Sequence, residues 1–281
     1  MMKPDPKTLL KDVEDIARDA GAAIMKYYNG ENEAHVYIKN DGSPVTDADK
    51  ASEDVILPRL AALTPGIPIV SEESFEGGER PDTSGGTFWT VDPLDGTKEF
   101  TGRTGAFVVA ISLIVDHKPV LGAIYHPAFG IMYSSAGPGT AEKTNPDGTR
   151  TKLQATGEAT DDLRVVLNQP STDVERVKGY LSKQFNTASP RIDPKPGILR
   201  EMQVAENEAD LAFMYPLKRD GRTKWWDIAP AHAIIEAAGG KVEGVDGKPI
   251  IYDAADYMVP PIVSISPRRA AQQAGGGPKV K

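Results

Sequence analysis

The sequence predicts an α/β fold of layered helices and sheets, and three observations carry the prediction. Apolar residues recur at helical spacing near the N-terminus: Leu10, Val13, Ile16, Ala17, Ala20, Ile24 and Tyr27 share one face, with charges opposite. The central stretch AFVVAISLIVDHKPVLGAIYHP reads as two long strands joined at DHKP, both apolar enough to be interior to a sheet. The second half alternates strand-like and helix-like runs, as an α/β sheet does.

The elements follow in order. The N-terminal helix ends near Asn29-Gly30. VYIKNDGSPVTDAD reads as a short strand, a Gly-Ser-Pro loop and the start of a second helix, Asp49 to Leu63, which TPGIP stops. IPIV is a short buried strand that delivers SEES. After FEGGERPDTSGG, the strand TFWTV delivers DPLDGTKEF. IMYSSAG is a further strand, and the stretch from Pro138 to Asp162, rich in Gly, Thr, Asn and Asp, places a lobe boundary near its end. Beyond it, LRVVLNQ and ADLAFMY read as strands, and Asp173 to Gln184 and Ile198 to Glu206 as helices. WDIAPAHAIIEAAGG is a helix with a glycine stop, KVEGVDGKPI a hairpin and PPIVSIS a closing strand. The expected organisation is an α+β lobe over residues 1–160, an α/β lobe over 161–267 and a disordered tail over 268–281.

Composition narrows the chemistry. A chain of 281 residues, 40% of them hydrophobic, can bury one large core or two packed lobes. A net charge of -8 argues against a duplex nucleic-acid binder. The absence of cysteine excludes disulfides, thiolate metal sites and cysteine nucleophiles. Charges interrupt the N-terminal apolar residues, so no signal peptide is expected, and no uncharged run reaches the roughly 20 residues that span a bilayer. A cytoplasmic location is the expectation.

Acidic residues cluster after predicted strand ends: Glu72 and Glu73, Asp92 and Asp95, and Asp227 before the last long helix. Ligand sites in open α/β sheets lie where strands end and helices start. In DPLDGT, a tight turn stiffened by Pro93 can aim both carboxylates and the Leu94 carbonyl at one point. These are hard oxygen donors, as Mg²⁺ prefers. Gly96 allows close backbone approach, and a helix beginning at Thr97 offers free N–H groups to a phosphate. The Thr97 hydroxyl could then orient or deprotonate a water. Helix-end decoration explains one aspartate but not the ordered Pro, Gly and Thr around both. In an extended segment Glu72 and Glu73 point to opposite sides, so only one is expected at the metal.

Together SPVTDAD, SEES, WTVDPLDGTKEF and WWDIAPA resemble the inositol monophosphatase superfamily, lithium-sensitive metal-dependent phosphatases of small metabolites. The match runs from Lys39 to Gly240, and DPLDGTKEF is similar to the 3'(2'),5'-bisphosphate nucleotidase branch. The resemblance implies an αβαβα sandwich of the inositol monophosphatase/fructose-1,6-bisphosphatase type. It implies two or three Mg²⁺ ions held by Glu72, Asp92, the Leu94 carbonyl, Asp95 and Asp227. Asp49 is implied to pair with Thr97 in activating water, with Asp47 the competing residue. Substrate contacts are implied for Glu72, Leu94, Asp95, Gly96, Thr97 and Asp227.

The implied activity is removal of the 3'-phosphate of adenosine 3',5'-bisphosphate. The alternatives are an inositol or sugar phosphatase, or a non-catalytic sensor of phosphorylated metabolites. The basic run PLKRDGRTK, with Lys218, Arg219, Arg222 and Lys224, could supply charge for a second phosphate. The expected partners are a small phosphorylated metabolite and, as an option, a second copy in a homodimer. His35, His117, His126 and His232 lack metal-ligand spacing, and Trp89, Trp225 and Trp226 are expected to pack.

Overall fold

The computed structural model describes residues 3–39, 42–159, 162–167, 172–185, 191–194, 197–216 and 223–274. The chain opens with helix α1 (Pro6–Tyr28), capped by the Asp5 side chain on the Lys7 N–H. A hairpin of β1 (Val36–Ile38) and β2 (Pro44–Thr46) leads into helix α2 (Asp47–Leu63). Strand β3 (Ile69–Ser71), short helix α3 (Glu72–Glu76), strand β4 (Phe88–Asp95) and short helix α4 (Thr97–Thr101) follow. A meander then runs through β5 (Val108–Val115), β6 (Lys118–His126), β7 (Ile131–Ser135), β8 (Glu142–Thr144) and β9 (Arg150–Lys152). The second half holds β10 (Arg164–Leu167), α5 (Val174–Phe185), β11 (Arg191–Pro194), α6 (Leu199–Ala205), β12 (Leu211–Met214) and β13 (Thr223–Lys224). It closes with α7 (Ala229–Ala237), β14 (Lys241–Gly244), β15 (Met258–Val259), β16 (Ile262–Ile265) and α8 (Pro267–Ala274).

Two sheets dominate. One has seven strands in the order β3-β4-β5-β6-β7-β8-β9, parallel only between β3 and β4. The other has five strands in the order β11-β10-β12-β16-β14 and is mixed. The period of two along β5 explains the layering. Val109, Ile111 and Leu113 face the core under α1 and α2, while Val108, Ala110 and Ile114 face the core around α7. β12 repeats the division: Ala212 and Met214 face α6 and α7, and Leu211 and Phe213 face the outer layer with α5 and Ala270 of α8. The stack is therefore α1/α2, sheet, α6/α7, sheet, α5/α8, an αβαβα sandwich.

Four local readings change. Glu72 and Glu73 lie in α3, not in an extended segment, because Glu53 on α2 accepts the Ser74 N–H at 3.1 Å and the Ser71 and Ser74 hydroxyls. That carboxylate takes up the exposed donors of the helix's first turn. DPLD is a bulged strand end rather than a free turn. The stretch from Pro138 to Asp162 contains β8 and β9, which extend the first sheet. KVEGVDGKPI is not a two-stranded hairpin: Lys241–Gly244 is β14 and pairs with β16, and its return half meets it only at the isolated Glu243–Pro249 bridge.

The tail reading is also corrected over 268–274, which belong to α8. Asp210 is 1% exposed, and its carboxylate meets Arg268 Nη2 at 3.1 Å, Arg269 Nη2 at 3.3 Å and the Arg164 N–H at 2.9 Å. A buried carboxylate needs such partners, and they tie α8 down. Residues 275–281 lie outside the described residues. Removing one partner of a buried ion pair costs about 3–5 kcal/mol. Asp210→Ala is therefore expected to lower unfolding free energy in denaturant by roughly 3 kcal/mol and to expose α8 to proteolysis. A variant as stable as the wild type would remove the anchoring role.

Candidate active site

β4 and β5 keep register to Asp92–Ala110 and resume it at Asp95–Val108, so two residues of β4 oppose one of β5. Such a bulge bends the strand and re-aims its side chains. The Leu94 N–H donates to Asp92 Oδ1 at 3.0 Å, and the Ser52 hydroxyl on α2 donates to the Pro93 carbonyl at 2.7 Å. Gly96 follows with φ +99°, and a Cβ there would come within 2.9 Å of the Ala106 carbonyl. Only glycine makes this turn, and α4 starts at the next residue.

The bulge brings together residues far apart in sequence. Oxygen atoms of Glu72, Asp92 and Asp227 lie within 4.8 Å of one another. They line one cleft with Ser43, Leu94, Asp95, Gly96, Thr97 and Glu99. Asp49 stands behind it, 1% exposed, with Oδ1 accepting the Thr97 hydroxyl at 3.1 Å. Its Oδ2 accepts the Thr46 N–H at 2.8 Å and the Thr46 hydroxyl at 2.7 Å, closing the capping box of α2. Asp47 points elsewhere: its Oδ2 accepts the His35 N–H at 3.0 Å and meets His35 Nδ1 at 2.8 Å, at the base of the β1–β2 hairpin.

The cluster is electrostatically strained. Burial, then the charges of Glu72, Asp95 and Asp227, pushes Asp92 well above the usual carboxylate range. Burial also raises Asp95, against the Ile198 amide and Arg200. Asp227 is pushed up to about 8 by burial, then by Glu72 and Asp95. Lys39 Nζ donates to both Glu72 and Glu73 at 2.7 Å. Burial carries Glu73 up to about 7 despite that contact. Among the described residues no cation pairs with Asp92 or Asp227. The donors are oxygens only, close together and short of positive charge, which fits a hard divalent cation.

A second open cleft of about 280 Å³ shares Asp95 and Asp227 with the first. Thr172, Arg200, Phe213, Met214 and Tyr215 line it. Arg200, 4% exposed, donates from Nη1 to the Gly197 carbonyl at 2.5 Å, while its Nε has no hydrogen-bond partner. Neither Lys39 nor Arg200 stands out in the sequence. Each is an isolated cation whose setting only the fold supplies. Lys224 lies beside the site but turns its ammonium onto Phe75, 4.2 Å from the ring centroid. Lys218, Arg219 and Arg222 lie outside the described residues. His232 bonds Tyr252 Oη through Nδ1 at 3.0 Å, and Trp89, Trp225 and Trp226 are buried.

Comparison with known proteins places the chain. A model of the inositol monophosphatase family matches residues 5–274. The chain is 40% identical to the 3'(2'),5'-bisphosphate nucleotidase CysQ of Escherichia coli strain K12 over 259 residues, 92% of this chain and 99% of the relative. It is 41% identical to the CysQ of Salmonella typhimurium over 254 residues, 90% of this chain and 97% of that one. The crystal structure of CysQ from Bacteroides thetaiotaomicron, a bacterial member of the inositol monophosphatase family, superposes with a TM-score of 0.71 at 27% identity, over 90% of this chain and 95% of that one.

The raised carboxylates set a pH dependence. Folded and metal-free, the chain holds protons that unfolded aspartates release above about pH 4. Its stability therefore falls as pH rises from about 4 towards the folded value of about 8 for Asp227. A cation that displaces those protons reverses the loss. Mg²⁺ is expected to raise the melting temperature more at pH 8 than at pH 5, with proton release seen by calorimetry in buffers of different ionisation enthalpy. A pH-independent gain without proton release would contradict this electrostatic account.

Proposed function

The chain belongs to the inositol monophosphatase family, and from that premise we propose that it is a Mg²⁺-dependent phosphomonoesterase removing the 3'-phosphate of adenosine 3',5'-bisphosphate. The observation that carries the reading is the Glu72, Asp92 and Asp227 cluster set beside the Asp49–Thr97 pair. Residues 1–160 form the lobe that supplies most donors, and residues 161–267 the lobe that supplies Asp227 and the leaving-group side.

Glu72, Asp92, the Leu94 carbonyl, Asp95 and Asp227 would hold two or three Mg²⁺ ions. Bound there, the cation supplies positive charge that offsets the phosphate and acidifies water. The chain's own residues do the rest. Thr97 donates its hydroxyl proton to Asp49 Oδ1, so the lone pairs of Oγ1 are free to accept from the attacking water. As attack proceeds, Oγ1 takes the water proton and passes its own to Asp49. The Thr46 N–H and hydroxyl fix the Asp49 carboxylate in that orientation. Gly96 and Thr97 cradle the phosphate. The second cleft takes the nucleoside beside Tyr215, and Arg200 meets the remaining phosphate. A guanidinium suits that task because its planar donors match phosphate oxygens.

The names of the relatives favour a nucleoside bisphosphate over inositol 1-phosphate or fructose 1,6-bisphosphate, and the buried Arg200 favours a substrate with a second phosphate over inositol 1-phosphate. The Asp49–Thr97 contact argues against a non-catalytic sensor, because binding alone has no use for a water-activating pair. No helix among the described residues is long and apolar enough to cross a membrane. The reading includes a cytoplasmic setting, no nucleic-acid partner, and a homodimer as the assembly to look for by sedimentation.

Four outcomes test this function. Activity is expected to vanish in excess chelator and return with Mg²⁺, and Thr97→Ala should keep Mg²⁺ binding while losing about 10²–10⁴-fold in kcat. Normal turnover by Thr97→Ala would refute the proton path. For the substrate, kcat/KM should be higher for adenosine 3',5'-bisphosphate than for inositol 1-phosphate, and Arg200→Met should narrow the gap mainly by raising KM for the bisphosphate. Equal or better efficiency on inositol 1-phosphate in the wild type would sink the nucleotidase assignment and leave the phosphatase standing.

A further inference from the structure

Asp95 belongs to the first lobe, yet the second lobe sets its orientation. Its Oδ2 accepts the Ile198 N–H at 2.7 Å, across 103 residues of sequence. Ile198 is 1% exposed, so this amide is fixed by packing. The residue before it, Gly197, has φ +55°. A Cβ at Gly197 would stand 2.6 Å from the same Oδ2, and 3.4 and 3.5 Å from Cγ and Oδ1. Any side chain there would collide with the carboxylate and strain the backbone as well. The Gly197 carbonyl is itself held by Arg200 Nη1 at 2.5 Å, so the turn is anchored on both sides.

We infer that Gly197 and the Ile198 amide are positioning elements for the cation site: they clamp one oxygen of Asp95 and present the other to the cation. The inference rests on the reading of Asp95 as a metal ligand. Gly197 needs to touch neither cation nor phosphate. It acts by being absent where Asp95 Oδ2 must lie, and by turning the Ile198 N–H onto that oxygen. The same clamp joins the lobes at the place where Asp95 of one and Asp227 of the other line a shared cleft. Donors that hold a metal-binding carboxylate from behind commonly change metal affinity when lost.

The test is a Mg²⁺ titration by calorimetry, paired with the melting temperature of the metal-free protein. Gly197→Ala should weaken Mg²⁺ binding by about 10- to 100-fold. Gly197→Asn should do the same, since asparagine tolerates a left-handed backbone but still carries the colliding Cβ. Ile198→Pro fits the native φ of -69° and deletes the N–H, so it should weaken binding too. Ile198→Val keeps the amide and should bind as the wild type does. A merely structural role would lower the metal-free melting temperature of the first three variants and leave their Mg²⁺ affinity intact, and that result overturns the inference. Should Gly197→Ala fail to fold, Ile198→Pro carries the same comparison. A wild type that binds no Mg²⁺ would instead overturn the metal-site reading on which the inference rests.

Discussion

Carboxylates of like charge, held within 4.8 Å of one another where α3, the end of β4 and the approach to α7 meet, are the constraint on which the rest of the molecule turns. Brought together without a counter-charge they repel, and burial sharpens the repulsion by removing water. The protein tolerates this by giving Glu72 the Lys39 ammonium and fixing the three aspartates from behind with neutral donors. The Leu94 amide holds Asp92, the Ile198 amide holds Asp95 and the Lys224 amide holds Asp227. Backbone donors orient a carboxylate without cancelling its charge. The result is an arrangement rigid enough to persist and still short of positive charge.

The fold serves that arrangement. The bulge at the end of β4 exists because Pro93 and Gly96 cannot continue a regular ladder, and it turns Asp92 and Asp95 out of the sheet. α2 contributes twice, through Ser52 bracing the Pro93 carbonyl and Asp49 receiving Thr97. α7 lies between the two sheets, and its approach from Trp225 to Ile228 carries Asp227 into the cleft. The aromatic residues around that approach are packing: Phe88 stacks on Trp225 with ring centroids 5.1 Å apart, and Phe75 tilts against Trp226 at 5.2 Å. The chemistry is polar, and the machinery that positions it is largely apolar.

Much of this was legible in the sequence, for reasons that can be named. DPLDGT carries its meaning locally, because its Pro, Gly, Thr and paired aspartates have few other joint uses. The strands β5 and β6 announced themselves by apolar runs, and α1 by its period. What stayed hidden depends on contacts between distant segments. Glu72 and Glu73 read as extended because nothing local says that Glu53, on another helix, will accept the donors of their first turn. Arg200 looks like any helix cation until the turn before α6 docks on Asp95 at the end of β4. Lys224 looked like a phosphate contact, but Phe75 and Trp226 offer its ammonium aromatic faces nearer by. Arg268 and Arg269 sat in a stretch of tail-like composition, and it takes the buried Asp210, the Asn207 side chain on the Arg268 N–H and the packing of Ala270 to hold α8.

The central claim is that the clustered carboxylates exist to hold divalent cations beside the Asp49–Thr97 pair. The most direct measurement is anomalous diffraction from crystals grown with Mn²⁺, a stand-in for Mg²⁺ that can be located by its scattering. The account predicts anomalous peaks in contact with Glu72, Asp92, the Leu94 carbonyl, Asp95 and Asp227, next to Thr97 Oγ1. Well-diffracting crystals saturated with Mn²⁺ that show no peak among those oxygens would contradict it.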